Sequence, residues 1–442
     1  MKKRLQLLPL AALLLAHPSL AADLLQVYRD ALSYDAQFAS ARAQRDAAME
    51  RLPQGRAGLL PNVGLSGNTT WNRQDVSISG TTSIPPGIRE FNSNGYTLTL
   101  SQPVFRWQNW VQYDQSKLQV AQAETQFQNA SQDLILRVAQ AYFDVLLAQD
   151  TLALAQVQKN AIGEQLEQAK RNFEVGTSTI VDTHEAQARS DLTTAFEIAA
   201  QADLDVKHHA LRLIIGREAE ALKPLRADVE IKRPEPADMQ KWSEAAETTN
   251  YNVQVQRAAL EIASREIDRN RAGHYPTLDV VATYGTNNQG SSIQGFGSNV
   301  TSSTIGLQLA VPIYQGGAVS SRTREAVALR EKALQDLENT RRSAALAAQQ
   351  AYLGVTSGIA QVKALEAGVV SSRSALDSNK LGYEVGVRIN IDVLNAQQQV
   401  SLAQRDLAQA RYNTLINQLK LKAATGTLGE DDVQQINALL EP

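Results

Sequence analysis

The same phrase occurs twice in this chain, 210 positions apart. Glu174-Val175-Gly176 recurs as Glu384-Val385-Gly386, Asp182 as Asp392, and Gly216 as Gly426. No gap is needed between 172–216 and 382–426. Tyr142 pairs with Tyr352 at the same offset, and Pro103 with Pro312 at 209. A repeat of this length is one architectural unit used twice, and it limits the fold to arrangements that accept two copies. The offset drifts only within 72–94 and 287–301, which are rich in Ser, Gly and Asn and read as loops.

The N-terminus reads as a secretory leader over 1–22. Lys2-Lys3-Arg4 is its basic start, Leu7 to Ala16 its apolar run, and Ser19-Leu20-Ala21-Ala22 its small-residue cleavage region. The organisation expected is a leader at 1–22, a first repeat at 23–225 and a second repeat with a C-terminal segment at 226–442. With no cysteine, neither a disulfide nor an N-terminal lipid on Cys is possible. Removing the leader's three basic residues from 43 leaves 40 against 46 acidic ones, a net of −6. That balance argues against nucleic acid as a partner.

No proline occurs between Pro103 and Pro224, nor between Pro312 and Pro442. Proline breaks helices, and both stretches are rich in helix formers. The pattern predicts long helices from about Val104 to Phe173 and from about Ile313 to Tyr383. At 1.5 Å per residue each is on the order of 100 Å. A shorter helix follows each, after a break near Gly176 and Gly386. Ala396, Val400, Ala403, Leu407, Ala410, Thr414, Asn417 and Leu421 form one heptad stripe. Leu402, Tyr412, Ile416, Leu419 and Ala423 mark a second stripe on the same helix. In the first half the stripe is Leu192, Ala195, Ala199, Ala202, Val206, His209 and Leu213. Two stripes on one helix require neighbours on two sides.

Four segments read as strands: 62–72, 94–104, 277–287 and 302–313. Tyr96-Thr97-Leu98-Thr99-Leu100 alternates with period two, so one face meets an apolar phase and the other water. Each is about ten residues, the length of a tilted transmembrane strand. Trp107, Trp110 and Tyr314 lie just past strand ends, where a membrane-interface aromatic belt falls. Two ordinary hairpins capping a helical bundle would show the same alternation. Four strands cannot close in lipid, where each unpaired backbone group costs several kcal/mol. Several copies must therefore pool strands, and the pattern leaves three or four copies open.

These elements, in this order, resemble the TolC family of outer-membrane efflux and secretion ducts. The likeness rests on Leu59-Leu60-Pro61, Ala139-Gln140-Ala141-Tyr142-Phe143 and Gly273-His274-Tyr275-Pro276-Thr277-Leu278-Asp279. It rests most on Val311-Pro312-Ile313-Tyr314-Gln315-Gly316-Gly317 and Ala410-Arg411-Tyr412-Asn413-Thr414-Leu415-Ile416-Asn417-Gln418-Leu419. Without a cysteine, the chain departs from the lipid-anchored branch. The resemblance implies a mainly α protein with a β-barrel portion. It implies a homotrimer with a twelve-stranded barrel in outer-membrane lipid, continued by an α-helical coiled-coil tunnel in the periplasm. It implies no catalysis and no cofactor. The partners it implies are a periplasmic adaptor and an inner-membrane pump or secretion ATPase.

By the same resemblance, Val175, Gly176 and Thr177, with Val385, Gly386 and Val387, form the adaptor-docking turns at the tunnel mouth. Asp182, Tyr383 and Arg388 form the gate, and Asp392 an acidic ring at the narrowest point. The glycines could instead serve only to end a helix in a left-handed conformation. Asp182 and Asp392 could instead accept from backbone amides near helix starts. The family's second acidic position is Asn395 here. A periplasmic coiled-coil adaptor or scaffold without a pore is the competing reading, and an exported enzyme the third. No phosphate loop, nucleophile elbow or zinc spacing supports the last.

Overall fold

Prolines and glycines set the element order in the computed structural model, which describes residues 21–77, 79–80, 86–218, 221–292 and 295–441. Residues 1–20 of the expected leader lie outside the described residues. The order is α1 (Leu24–Tyr34), α2 (Ala36–Met49), α3 (Arg51–Ala57), β1 (Asn62–Val76), β2 (Gly87–Phe105), α4 (Trp107–Glu174) and α5 (Ile180–Ile215). Then come α6 (Met239–Thr249), α7 (Tyr251–Arg271), β3 (Thr277–Gln289), β4 (Ser298–Ala310), α8 (Ala318–Glu384), α9 (Asn390–Ala424) and α10 (Glu430–Asn437). α4 and α8 run 68 and 67 residues without interruption, as the proline-free stretches predict.

The chain divides into two compact units, and both halves of the sequence contribute to each. One unit holds residues up to Ala39, Ser131–Ser243 and Ala347 onward. Its core is set by Leu134, Val138, Tyr142, Phe143 and Leu146 of α4 with Tyr412, Leu415, Ile416 and Leu419 of α9, all buried. The Phe143 ring stacks on Tyr412 at 5.4 Å and meets Tyr142 edge-on at 5.8 Å. The Tyr412 hydroxyl donates to Asp150 at 2.7 Å. Burial raises the Asp150 carboxyl above its ordinary range, and that hydrogen bond opposes the shift. α8 and α9 come close at Gly358, where a Cβ would lie 2.4 Å from Thr414 Oγ1. Only glycine fits there.

Every residue named in the two α9 stripes is at least half-buried. The α5 stripe is different. The α5 residues buried within the chain are Ala186, Thr193, Ala200, Leu211 and Ile215. The expected stripe is exposed throughout, with Leu192 at 64%, Val206 at 60% and Leu213 at 79%. Two apolar stripes share this helix, and periodicity does not say which one the same chain covers.

Asp35 joins two elements of this unit. Its carboxylate accepts Phe38 N at 2.7 Å and both Nη atoms of Arg137 at 2.8 and 3.0 Å. The hydrogen bond from Arg137 is the main reason its pKa falls below the usual carboxylate range. A lowered carboxyl pKa stabilises above the unfolded value, and that contribution is lost as pH falls through the folded value. Asp35→Asn is therefore expected to cost about 1–3 kcal/mol near neutrality. The gap from wild type closes in acid. Denaturant unfolding at several pH values measures it; a gap independent of pH would refute the argument.

The second unit holds Ser40–Ala130 and Glu244–Leu346. Its four strands form one antiparallel sheet in the order β1-β2-β3-β4. The strands run past the expected ends into both Ser/Asn-rich segments. β1 reaches Val76 and β2 starts at Gly87, with Arg73 and Glu90 opposite each other and ion-paired at 3.4 Å. Polar cross-strand pairs carry this extension, which hydropathy alone cannot reveal. β4 is shifted towards the N-terminus, to Ser298–Ala310. Pro312 has no N–H for a ladder and follows its end. Gly316 and Gly317, at φ +61° and +78°, make the turn that delays α8 to Ala318.

Candidate functional site

The sheet register sorts its side chains by chemistry. Val63, Leu65 and Trp71 of β1 share a face with Tyr96, Leu98 and Leu100 of β2. Tyr284, Ala282 and Val280 of β3 continue it, as do Ile305, Leu307 and Leu309 of β4. Trp71, Leu98, Tyr284 and Ile305 are exposed although apolar. The other face carries Ser66, Asn68 and Thr70, then Thr97 and Thr99, Thr283 and Gly285, and Ser302 and Thr304. Thr283 and Thr304 hydroxyls lie 2.6 Å apart across it. Such a sheet suits a boundary between hydrocarbon and water. Among the described residues no helix is long and apolar enough to cross a membrane. Trp107, Trp110 and Tyr314 are exposed, just beyond β2 and β4.

In the first unit, the two turns named by the sequence have the same backbone. Gly176 has φ +79° and Gly386 +78°. Thr177 N donates to Asn172 O at 2.8 Å, and Val387 N to Gly382 O at 2.8 Å. A non-glycine residue at either φ is strained. Open space surrounds both glycines within the chain, so the dihedral alone demands glycine here. Val175, Val385 and Val387 are exposed, leaving an apolar rim on each turn.

Tyr383 is half-buried against Leu376, Val393 and Val400. Its hydroxyl accepts from Asn172 Nδ2 at 3.1 Å. Arg388, in the turn before α9, places Nη1 3.7 Å from Oδ2 of Asp392 in the first turn of that helix. The Arg388 stem lies over Gly382, where a Cβ would sit 2.7 Å from its Cγ. Asp182 is not joined to Tyr383 or Arg388 within the chain. It closes a capping box on α5, accepting from Thr179 N at 3.0 Å and Thr179 Oγ1 at 2.8 Å. Asp392 also occupies a first helical turn, so the helix-start role open to both carboxylates is realised at Asp182.

Sequence reasoning missed Asn172 and Arg189. Arg189 of α5 donates Nη1 to Gln398 Oε1 at 2.8 Å and Nη2 to Asn395 Oδ1 at 2.9 Å on α9. The one available signal was Asn395 itself, an amide where an acid was expected. Among the described residues no group of His, Cys, Asp or Glu is arranged to hold a metal.

A chain with a two-faced membrane sheet and paired long helices ending in matched turns belongs to a defined class. The profile described as Outer membrane efflux protein matches residues 27–217 and 242–427, and this chain is a member of that family. It is 36% identical to Outer membrane protein TolC of Vibrio cholerae serotype O1 over 448 residues, covering 100% of this chain and 99% of the other. It is 32% identical to Proteases secretion protein PrtF of Dickeya chrysanthemi, covering 99% and 95%. The fold matches the Campylobacter jejuni CmeC outer membrane channel with a TM-score of 0.78 at 17% identity, over 95% of this chain and 90% of that one. The chain is an exit duct of the outer membrane.

Proposed function

We propose that three copies pool their sheets into one twelve-stranded barrel and their helices into a tunnel through the periplasm. The observation that carries this reading is a sheet with an apolar exposed face and two open edges, β1 and β4. Open edges in lipid are untenable, and about eight strands is the smallest single-chain barrel. Trp107, Trp110 and Tyr314 then sit at the membrane interface. The exposed α5 stripe supplies the second side that the heptads require. A soluble adaptor or scaffold has no use for such a sheet, which sets that alternative aside.

In this reading the duct has no catalytic role. A periplasmic adaptor docks on Val175-Gly176-Thr177 and Val385-Gly386-Val387. An inner-membrane pump or secretion ATPase hands over small molecules, secreted polypeptides or both. Asp182, Tyr383 and Arg388 hold the mouth closed until the partners arrive, and Asp392 from each copy forms an acidic ring there. Three converging carboxylates attract cations. The division into a leader at 1–22 and repeats at 23–225 and 226–442 belongs to the same proposal. The element order supports it, since each half runs helices, two strands, a long helix and a shorter one.

Fractionation tests the assembly. The expected outcome is retention in outer membranes after a carbonate wash and an oligomeric band in unheated detergent gels. Recovery as a soluble periplasmic species would overturn it.

A further inference from the structure

We propose that Arg189 is a further gate residue, a positioning clamp that holds α9 against α5 while the mouth is closed. The proposal rests on the gate reading above and adds a layer to it. Asn395 and Gln398 are three apart on α9 and therefore present one face to the guanidinium. Its two Nη atoms reach one amide oxygen each, at 2.9 and 2.8 Å. This is a two-pronged bond across two helices that share no loop. Its level is also specific. Arg189 stands 13 residues beyond Gly176, and Asn395 and Gln398 stand 9 and 12 beyond Gly386. The clamp therefore ties the third turn of α5 to the second and third turns of α9, the helices that leave the matched turns.

Three properties separate this contact from the lip contact. First, its acceptors are neutral amides, which do not titrate. Arg388, in the turn before α9, instead faces the Asp392 carboxylate at 3.7 Å. Second, Arg189 spans two helices, so α9 cannot move away from α5 without breaking both bonds. Third, Arg189 borders a cleft of about 230 Å³ lined on one side by Leu154, Ile162 and Leu394 and on the other by polar groups that include Gln398 and Arg405. The bond to Gln398 is half-buried beside it and the bond to Asn395 is exposed, so the first is the stronger prong. The lock would then have an ionic lip that salt weakens and an amide clamp that salt hardly touches.

The test is single-channel recording in planar bilayers, with unheated gels run on the same preparations. Arg189→Gln should assemble like wild type and raise conductance about twofold or more, as a shift of the closed-to-open population. Arg189→Lys, with a point charge and no fork, should fall between. The Arg189→Gln gain should persist from about 0.1 M to about 1 M salt, while that of the Tyr383→Phe, Arg388→Ser variant shrinks. Should Arg189→Gln assemble poorly, the Asn395→Ala, Gln398→Ala pair, which keeps the arginine, must produce the same rise. Wild-type conductance from an assembled clamp variant, where the Tyr383/Arg388 variant does open, overturns the clamp alone. Wild-type conductance from both overturns the gate reading and the clamp with it.

Discussion

Tyr383→Phe combined with Arg388→Ser opens the duct: single-channel conductance rises several-fold while the oligomeric band and outer-membrane yield stay as in wild type. The expectation follows from what each change removes. Phe at 383 keeps the ring on Leu376, Val393 and Val400 and deletes only the oxygen that accepts from Asn172 Nδ2. Ser at 388 deletes the cation beside Asp392 and the stem that covers Gly382. The Tyr383 ring, which packs on that cluster, is retained, and Arg388 is exposed. Exposed pairs contribute roughly 0–1 kcal/mol each. Two contacts in each of three copies sum to on the order of 3 kcal/mol, roughly a hundredfold in a closed-to-open ratio. A lock of that size is weak enough for a docking partner to break and strong enough to hold a mouth closed. Wild-type conductance from a correctly inserted double variant would place the lock elsewhere.

The sequence made the framework legible because its strongest signals act along the backbone. Two proline-free stretches forecast α4 and α8 to within a few residues of Glu174 and Glu384. The repeated Val-Gly forecast two turns whose backbones are now seen to match. Period two in Tyr96 to Leu100 forecast the face on which Leu98 meets Leu65 and Tyr284. Strand ends were less legible, since Arg73, Glu90 and Asn288 carry no apolar period and are held by cross-strand partners. Of the lock proposed here, Tyr383 and Arg388 could be carried over from a family pattern, but the hydrogen bonds of Asn172 and Arg189 depend on which helix faces which. The same gap hid the sidedness of α5, where Ala200 and Ala199 look alike in sequence and only Ala200 is buried within the chain.

That sidedness yields the second large effect. Val206→Glu with Leu213→Glu is expected to abolish assembly and leave a folded single chain. Both residues are exposed, so within one chain the change removes little packing and should shift stability by no more than about 0.5 kcal/mol per site. In an assembled ring the same two positions meet a neighbouring copy. Burying Val and Leu there contributes about 1.5–3 kcal/mol each. Placing a carboxylate in that seam instead leaves an ion without a partner, a penalty of several kcal/mol per site. Three interfaces repeat the loss. Ala200→Glu supplies the contrast, because Ala200 is buried against its own chain and should unfold the unit before assembly is reached. Helical content by circular dichroism, thermal unfolding and sedimentation separate the outcomes. The first variant should keep its helix signal and sediment as a monomer, and the second should lose thermal stability. A Val206→Glu, Leu213→Glu chain that still migrates as a wild-type oligomer would show that this stripe faces water in the finished duct, and the second neighbour of α5 would have to be sought on another face.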